Sequence, residues 1–310
     1  MIKQDAINRM IAPGQRRKGK WRDGVIQIHL TRACDRSCYS CTQASNLLIK
    51  PDFITLENFE IAVKSLVGYF GVVGIFGGNP ALHPQFPEIC EILAKYIPRE
   101  QRGLWCNNPM KHGKLMSQIF NPRHSNLNVH QSQEAYNAFR RDWPESKPCG
   151  LTEDSRHSPV YASMIDMDIP EEQRWELISK CDINHHWSAM IGQFRGQPRA
   201  WFCEIAGGQA MLMQNDPDYP DTGIYPTEQW YKKPIVDFSD QIEQHCHRCA
   251  VPLKGRGQLA NSTTDKEQTT KYYLPVFKPK HNREIELVES AEQLGTPLGL
   301  MTDYIGNSKK

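Results

Sequence analysis

The first half of the chain alternates short apolar runs with amphipathic stretches. Val25, Ile26, Ile28 and Leu30 form a β-rich run ending at Thr31. From Thr55, a suitable N-cap, Phe59, Ala62, Val63, Leu66, Val67 and Phe70 recur at helical spacing. Val72, Val73, Ile75 and Phe76 read as a buried strand closed by Gly77 and Gly78. A second helix follows, with Pro87 in its first turn and Phe86, Ile89, Cys90 and Leu93 on its inner face. Leu104 to Cys106 is strand-like, Leu115 to Phe120 helical, and Leu127 to Val129 strand-like again. Repeated βα units predict a parallel sheet with right-handed crossovers, open or curled, and chemistry at the C-terminal ends of its strands.

The pattern changes near residue 166. Pro170 to Lys180 reads as one helix, and Trp187 to Ile205 as a β-hairpin turning at Arg195-Gly196-Gln197-Pro198. Beyond Gly257 the chain turns polar (Asn261-Ser262-Thr263-Thr264-Asp265) with no clear period until Ile285, which predicts an extension packed on the surface or partly disordered. The organisation expected is therefore an N-terminal extension (1–24), a βα core (25–166), a small α+β unit (167–257) and a C-terminal extension (258–310).

Charge excludes little but narrows the partners. With 37 basic and 35 acidic side chains, nothing marks a nucleic-acid surface. No apolar run approaches a membrane span. The basic stretch Arg16, Arg17, Lys18 and Lys20 has no apolar run behind it, so a secretion signal is not expected. Ten cysteines in a chain of 310 residues fit thiolate ligands in a reducing cytoplasm better than a disulfide framework.

Cys34, Cys38 and Cys41 stand within eight residues directly after the first strand. A tight loop can wrap three thiolates around one face of a cubane, leaving the fourth iron open. A structural zinc site normally needs a fourth protein ligand, and the nearest other cysteine, Cys90, falls on an apolar helix face. The C-x3-C-x2-C spacing resembles the signature of the radical S-adenosylmethionine (SAM) superfamily. That family usually has an aromatic residue just before the third cysteine; here Ser40 takes that place and Tyr39 stands one position earlier. Gly77-Gly78-Asn79-Pro80 resembles the family's Gly-Gly-Glu-Pro turn, with Asn79 in place of the acid.

The resemblance implies a partial (β/α)6 barrel, a [4Fe–4S] cluster on Cys34, Cys38 and Cys41, and SAM chelated by the open iron. The turn would meet the SAM amino group and Tyr39 its adenine. Asn107, Asn108, Asn128, His130 and Gln131, at later strand ends, would meet SAM or substrate, although Asn also caps helices routinely. It further implies an electron donor of flavodoxin or ferredoxin type.

Four more cysteines are spaced C-x21-C-x42-C-x2-C: Cys181, Cys203, Cys246 and Cys249. Four thiolates can complete a [4Fe–4S] cluster or a tetrahedral zinc site, and spacing alone does not separate them. The order helix, Cys, hairpin, Cys, C-x2-C resembles the twitch domain, a short relative of the SPASM extension, which implies an auxiliary [4Fe–4S] cluster. Cys90, Cys106 and Cys149 are left as core or free thiols.

The stretch holding Arg140, Arg141, Asp142, Glu145, Asp154, Arg156 and His157, and the run His185-His186-Trp187, offer polar and aromatic groups for a hydroxyl-rich substrate. His157, His185 and Cys149 are the candidate catalytic side chains, as proton acceptors or, for Cys149, a hydrogen donor. The expected function is SAM cleavage with hydrogen abstraction from a small carbohydrate-, cyclitol- or nucleoside-like substrate, giving oxidation or epimerisation. A peptide-modifying enzyme and a non-catalytic iron–sulfur or zinc scaffold are the other readings.

Overall fold

A computed structural model describes residues 2–15, 24–152, 156–253, 257–262 and 265–295. Its helices and strands, in chain order, are α1 (Lys3–Asn8), β1 (Val25–His29), α2 (Leu56–Ser65), β2 (Val72–Phe76), α3 (Phe86–Tyr96), β3 (Arg102–Leu104), α4 (Gly113–Ile119), α5 (Gln133–Asp142), β4 (Arg156–His157), α6 (Glu171–Ser179), α7 (Asp182–His186), β5 (Ser188–Phe194), β6 (Gln197–Trp201), α8 (Glu204–Met213), α9 (Ser239–Cys246), β7 (Gln258–Leu259), β8 (Glu267–Thr269) and β9 (Ile285–Leu287).

The fold is mixed α/β around a parallel-dominated sheet of order β3-β2-β1-β5-β6. β1 and β2 are buried throughout, as strands covered on both faces must be. Thr55 caps α2 by accepting from the Asn58 N–H at 3.1 Å. Phe86, Ile89, Cys90 and Leu93 are the buried face of α3. α2 stops at Ser65, five residues before its apolar spacing runs out at Phe70, and Val67 and Phe70 are exposed. Gly68, at φ +79°, follows that end, a conformation glycine adopts without strain.

The expected fourth strand is shorter than the pattern implies. Residues 126–129 join the sheet only through parallel bridges, Trp105 with Asn126 and Asn128 with Cys149. The described strands therefore number fewer than the six parallel strands of the expected barrel. Asn126 and Asn128 alternate with Leu127 and Val129, and Asn is a poor strand former.

The hairpin of β5 and β6 turns at Arg195-Gly196, where both residues have positive φ. It does not stand in a sheet of its own: β5 runs parallel to β1 from Val25↔Ser188 to Ile28↔Ile191. The expected boundary at 166/167 thus does not separate two sheets. The hairpin also ends at Trp201, short of Ile205, because α8 begins at Glu204. All ten residues of α8 are buried, so it has no polar face and no amphipathic period to read.

The C-terminal extension differs most from expectation. Between residues 257 and 295 it buries Tyr273, Phe277, Val288, Ala291 and Leu294 in the main core, Ala260 is buried as well, and Glu267, Thr269 and Thr270 are inaccessible to solvent. Thr263, Thr264, residues 296–310 and the basic run 16–20 lie outside the described residues. No described helix is long and apolar enough to cross a membrane.

Candidate metal centres and the cavity between them

β1 delivers the chain into the loop that carries Cys34, Cys38 and Cys41. Arg32, buried at the start of that loop, holds Asp52 with two parallel hydrogen bonds of 3.0 Å and the Met211 carbonyl at 3.0 Å. Such a bidentate pair fixes direction as well as distance. The Gly77-Gly78 turn at the end of β2 packs backbone to backbone on the same loop. Gly78 N–H donates to the Thr31 carbonyl and Asn79 N–H to the Ala33 carbonyl, each at 2.7 Å. A β-carbon at Gly78 would stand 2.3 Å from the Ala33 oxygen, and one at Gly77 2.3 Å from the Thr31 oxygen. The glycines are required by this approach.

Asp35 ties the loop to two strand ends. Its carboxylate accepts from Asn79 Nδ2 at 3.0 Å, Asn107 Nδ2 at 2.9 Å and Asn108 Nδ2 at 3.0 Å. Partial burial works against ionisation, but these three amides outweigh it and hold the carboxyl below its ordinary value.

The loop opens on a cavity of about 450 Å³, within the range of small-molecule sites. Cys34, Cys38, Cys41, Gly77, Gly78, Asn107, Asn128, His130 and His157 all line it. His130 is held near pKa 4, chiefly by burial and then by His157 and Arg36, so it is neutral at pH 7. Its ring meets the edge of His157 at 5.7 Å between centroids. His157 Nδ1 is 2.9 Å from the Tyr39 carbonyl oxygen.

Several expected site residues sit elsewhere. Tyr39 is buried outside the cavity wall, its ring covered by the Arg283 guanidinium at 3.9 Å. Asn79 and Pro80 also lie behind the wall; Asn79 is spent on Asp35 and on capping the turn at Ala81. His185 bonds the Ser179 carbonyl at 3.0 Å and Cys149 is exposed beside Asn126; neither lines the cavity. Cys90 is buried in the core, whereas Cys106, also buried, does line the cavity, its thiol against Asn79 Oδ1 at 3.2 Å and the Asn108 carbonyl at 3.1 Å. Of the polar stretch 140–157, Arg140 binds the Pro144 and Ser146 carbonyls and Arg141 pairs with Asp142 on α5. Only Arg156 and His157 of that stretch reach the cavity, and Asp154 lies outside the described residues.

Sequence reasoning missed Gln27 and Glu204, which meet on the cavity wall at 2.9 Å although 177 positions apart. A signal for Gln27 exists: it is a polar residue between Ile26 and Ile28 in a buried strand. Glu204 gives no comparable sign.

Cys181, Cys203, Cys246 and Cys249 converge on a second, small cavity of about 20 Å³. They come from the start of α7, the start of α8, the last residue of α9 and the turn after it. Ile183, Ile205 and Val251 line both cavities and form an aliphatic wall between them. Among the described residues, no three His, Cys, Asp or Glu side chains are grouped to hold a metal ion.

Burial and mutual repulsion keep both sets of thiols neutral in the absence of a bound cation. Burial, then repulsion from Cys41, pushes the Cys34 thiol up to about 12. Burial and Cys181 do the same to Cys203. Cys38, Cys41, Cys246 and Cys249 are raised as well, burial again the largest cause. Thiols crowded and buried in this way ionise only against a bound cationic centre, whose charge reverses the effect.

No protein-family model matches this chain, and no curated protein matches it. Among solved structures, BtrN in complex with AdoMet and 2-DOIA is 12% identical, with a TM-score of 0.44 over 73% of this chain and 92% of that one. BtrN in an open conformation gives 11% and 0.36 over 78% and 92%. Native anSMEcpe with bound AdoMet gives 13% and 0.30 over 61% and 58%. Likenesses this weak do not assign the chain to a family.

Proposed function

We propose that the chain is a radical SAM enzyme acting on a small polar substrate, with an auxiliary [4Fe–4S] cluster beside the substrate cavity. The observation that carries this is the shared geometry: three loop cysteines and a glycine turn open on one cavity, and four further cysteines enclose a second one behind a common aliphatic wall. A [4Fe–4S] cluster on Cys34, Cys38 and Cys41, with SAM on its open iron and an electron from a flavodoxin- or ferredoxin-like donor, would supply a 5′-deoxyadenosyl radical that takes hydrogen from substrate.

The chain's own residues do the rest. Gly77 and Gly78 let the β2 end approach without side chains. Gln27, Asn107, Asn126, Asn128 and Glu204 offer hydrogen bonds, interleaved with Phe76, Trp105 and Trp187. That mixture suits a carbohydrate, cyclitol or nucleoside-like substrate. His130, His157, Asp182 and Glu204 are lining groups able to take a proton as a substrate carbon is oxidised. Returning a hydrogen atom instead would give epimerisation, but Cys149 lies off the cavity and the Cys106 thiol, which lines it, is engaged by Asn79 and the Asn108 carbonyl, so no thiol donor is assigned.

For the auxiliary site, a mononuclear zinc needs four thiolates about 2.3 Å from one point. A cluster instead spreads its four thiolates over separate irons, and metal analysis separates the two. Anaerobic reconstitution with iron and sulfide counting, followed by dithionite-driven SAM cleavage, tests the whole reading. About eight irons per chain and 5′-deoxyadenosine formation are expected. About four irons plus one zinc would remove the auxiliary cluster, and no iron with no 5′-deoxyadenosine would overturn the proposal.

A further inference from the structure

The segment after residue 257 builds the far wall of the cysteine loop. The Tyr39 N–H donates to the Ala260 carbonyl at 3.2 Å, and Ser40 Oγ donates to Gln258 Oε1 at 2.6 Å. Glu267, inaccessible to solvent, accepts from the Ser40 N–H at 3.3 Å and from Arg283 Nη1 at 2.9 Å. Arg283 in turn lies 3.9 Å over the Tyr39 ring and donates to Ser37 Oγ at 3.3 Å. Lys280 reaches the Ser45 carbonyl at 2.7 Å, and Leu48 N–H donates to the Lys278 carbonyl at 2.6 Å.

Ser37, Tyr39 and Ser40 are loop residues that do not line the cavity, whereas Cys34, Arg36, Cys38 and Cys41 do. The tail therefore grips the loop between its ligands and leaves the ligand side open. Ser40 has φ +48°, a conformation costly for a side-chain-bearing residue, and it is held there by Gln258 and Glu267. A carboxylate buried this completely is expensive, and the chain keeps it at the one place where it meets the backbone between Cys38 and Cys41.

We propose that the C-terminal segment is a working part of the loop's cluster site, with Glu267 and Arg283 as positioning residues that fix Tyr39–Ser40 and set the local field. This rests on the reading that the loop holds a cluster. The two charges stand beside different cysteines: Glu267 holds the Ser40 N–H, next to Cys41, and Arg283 lies over the Tyr39 ring, next to Cys38. Cluster potential responds to nearby charge and to hydrogen bonding. Removing the buried negative charge makes reduction easier, and removing the positive charge makes it harder.

The test uses the full chain, reconstituted, with E267Q, E267D and R283M. The loop cluster is identified as the one whose EPR signal changes on adding SAM. E267Q is expected to move its reduction potential upward and R283M downward, with E267D holding the wild-type value. Both altered variants are also expected to raise the KM for SAM more than they lower kcat. A purely structural contact would lower iron content and melting temperature together and leave the potential of the remaining cluster unmoved. Wild-type loading with unshifted potentials in E267Q and R283M, or shifts of the same sign, would overturn this inference alone. A wild-type chain that takes up no iron would overturn the functional reading and this one with it. Where E267Q does not fold, a downward shift in R283M upholds the inference and an unshifted or upward one overturns it.

Discussion

The two thiol sets use the same side chain in opposite settings. The loop set has three thiols on one short segment and opens on about 450 Å³; the other draws four thiols from three parts of the fold around about 20 Å³. An incomplete donor set on an open cavity leaves room for a small molecule at the metal, as a reactive centre requires. A complete set around a cavity too small for a ligand leaves none, which suits electron transfer or structure. The wall of Ile183, Ile205 and Val251 makes the two neighbours rather than independent sites.

The comparison breaks most sharply if the roles can be exchanged. Replacing Cys181, Cys203, Cys246 and Cys249 by Ala should remove about four irons, leave SAM cleavage, and abolish conversion of substrate. The triple loop variant should remove the other four and all cleavage. Iron analysis and 5′-deoxyadenosine assays read both; cleavage lost in the quadruple variant would deny the division of labour.

The wall comes next. Ile205 is buried at 3% exposure, and Ile205→Ala should cost about 2–5 kcal/mol by denaturant unfolding. It should also uncouple the sites, giving more 5′-deoxyadenosine per product.

Acid should weaken the open site's surroundings by about 2 kcal/mol per buried imidazole at pH 5. His29 is held near pKa 4 by burial, with Asp52 partly opposing, and His130 near 4 likewise. Both are neutral when folded and protonated when unfolded below about pH 6.5, so stability falls as pH drops from there toward 4. Unfolding midpoints across that range should flatten in His29→Gln.

Gly78→Ala should cost about 1–3 kcal/mol and empty the loop site selectively, because only that site has backbone against the turn. Asp35→Asn is the smallest change, about 1 kcal/mol, since it weakens three partly exposed hydrogen bonds. The Asp35 carboxyl is depressed when folded, so its contribution is present above the ordinary carboxylate pKa and lost as pH falls through the folded one. The wild-type and Asp35→Asn melting curves should therefore converge at low pH.

Much of the βα core was legible because its elements are amphipathic or uniformly apolar: Thr55 and α2, the β2 run, Pro87 and α3. α8 was not, because a helix buried on all sides carries no period. The seven cysteines were legible as two sets from spacing. Their surroundings were not: the sequence left Glu267 and Arg283 in a featureless polar tail, yet they contact residues 227 and 244 positions away.

The sequence by itself determined which residues could serve as ligands, since thiol chemistry and local spacing are properties of short segments. It also determined the strand that feeds the first loop and the glycine turn beside it. Only the tertiary structure decided that the hairpin joins β1, that Gln27 meets Glu204, and that the tail grips the loop between its cysteines. Those outcomes depend on contacts between distant segments, where the free energy of burying one surface is set by the partner that covers it and by nothing in the local pattern.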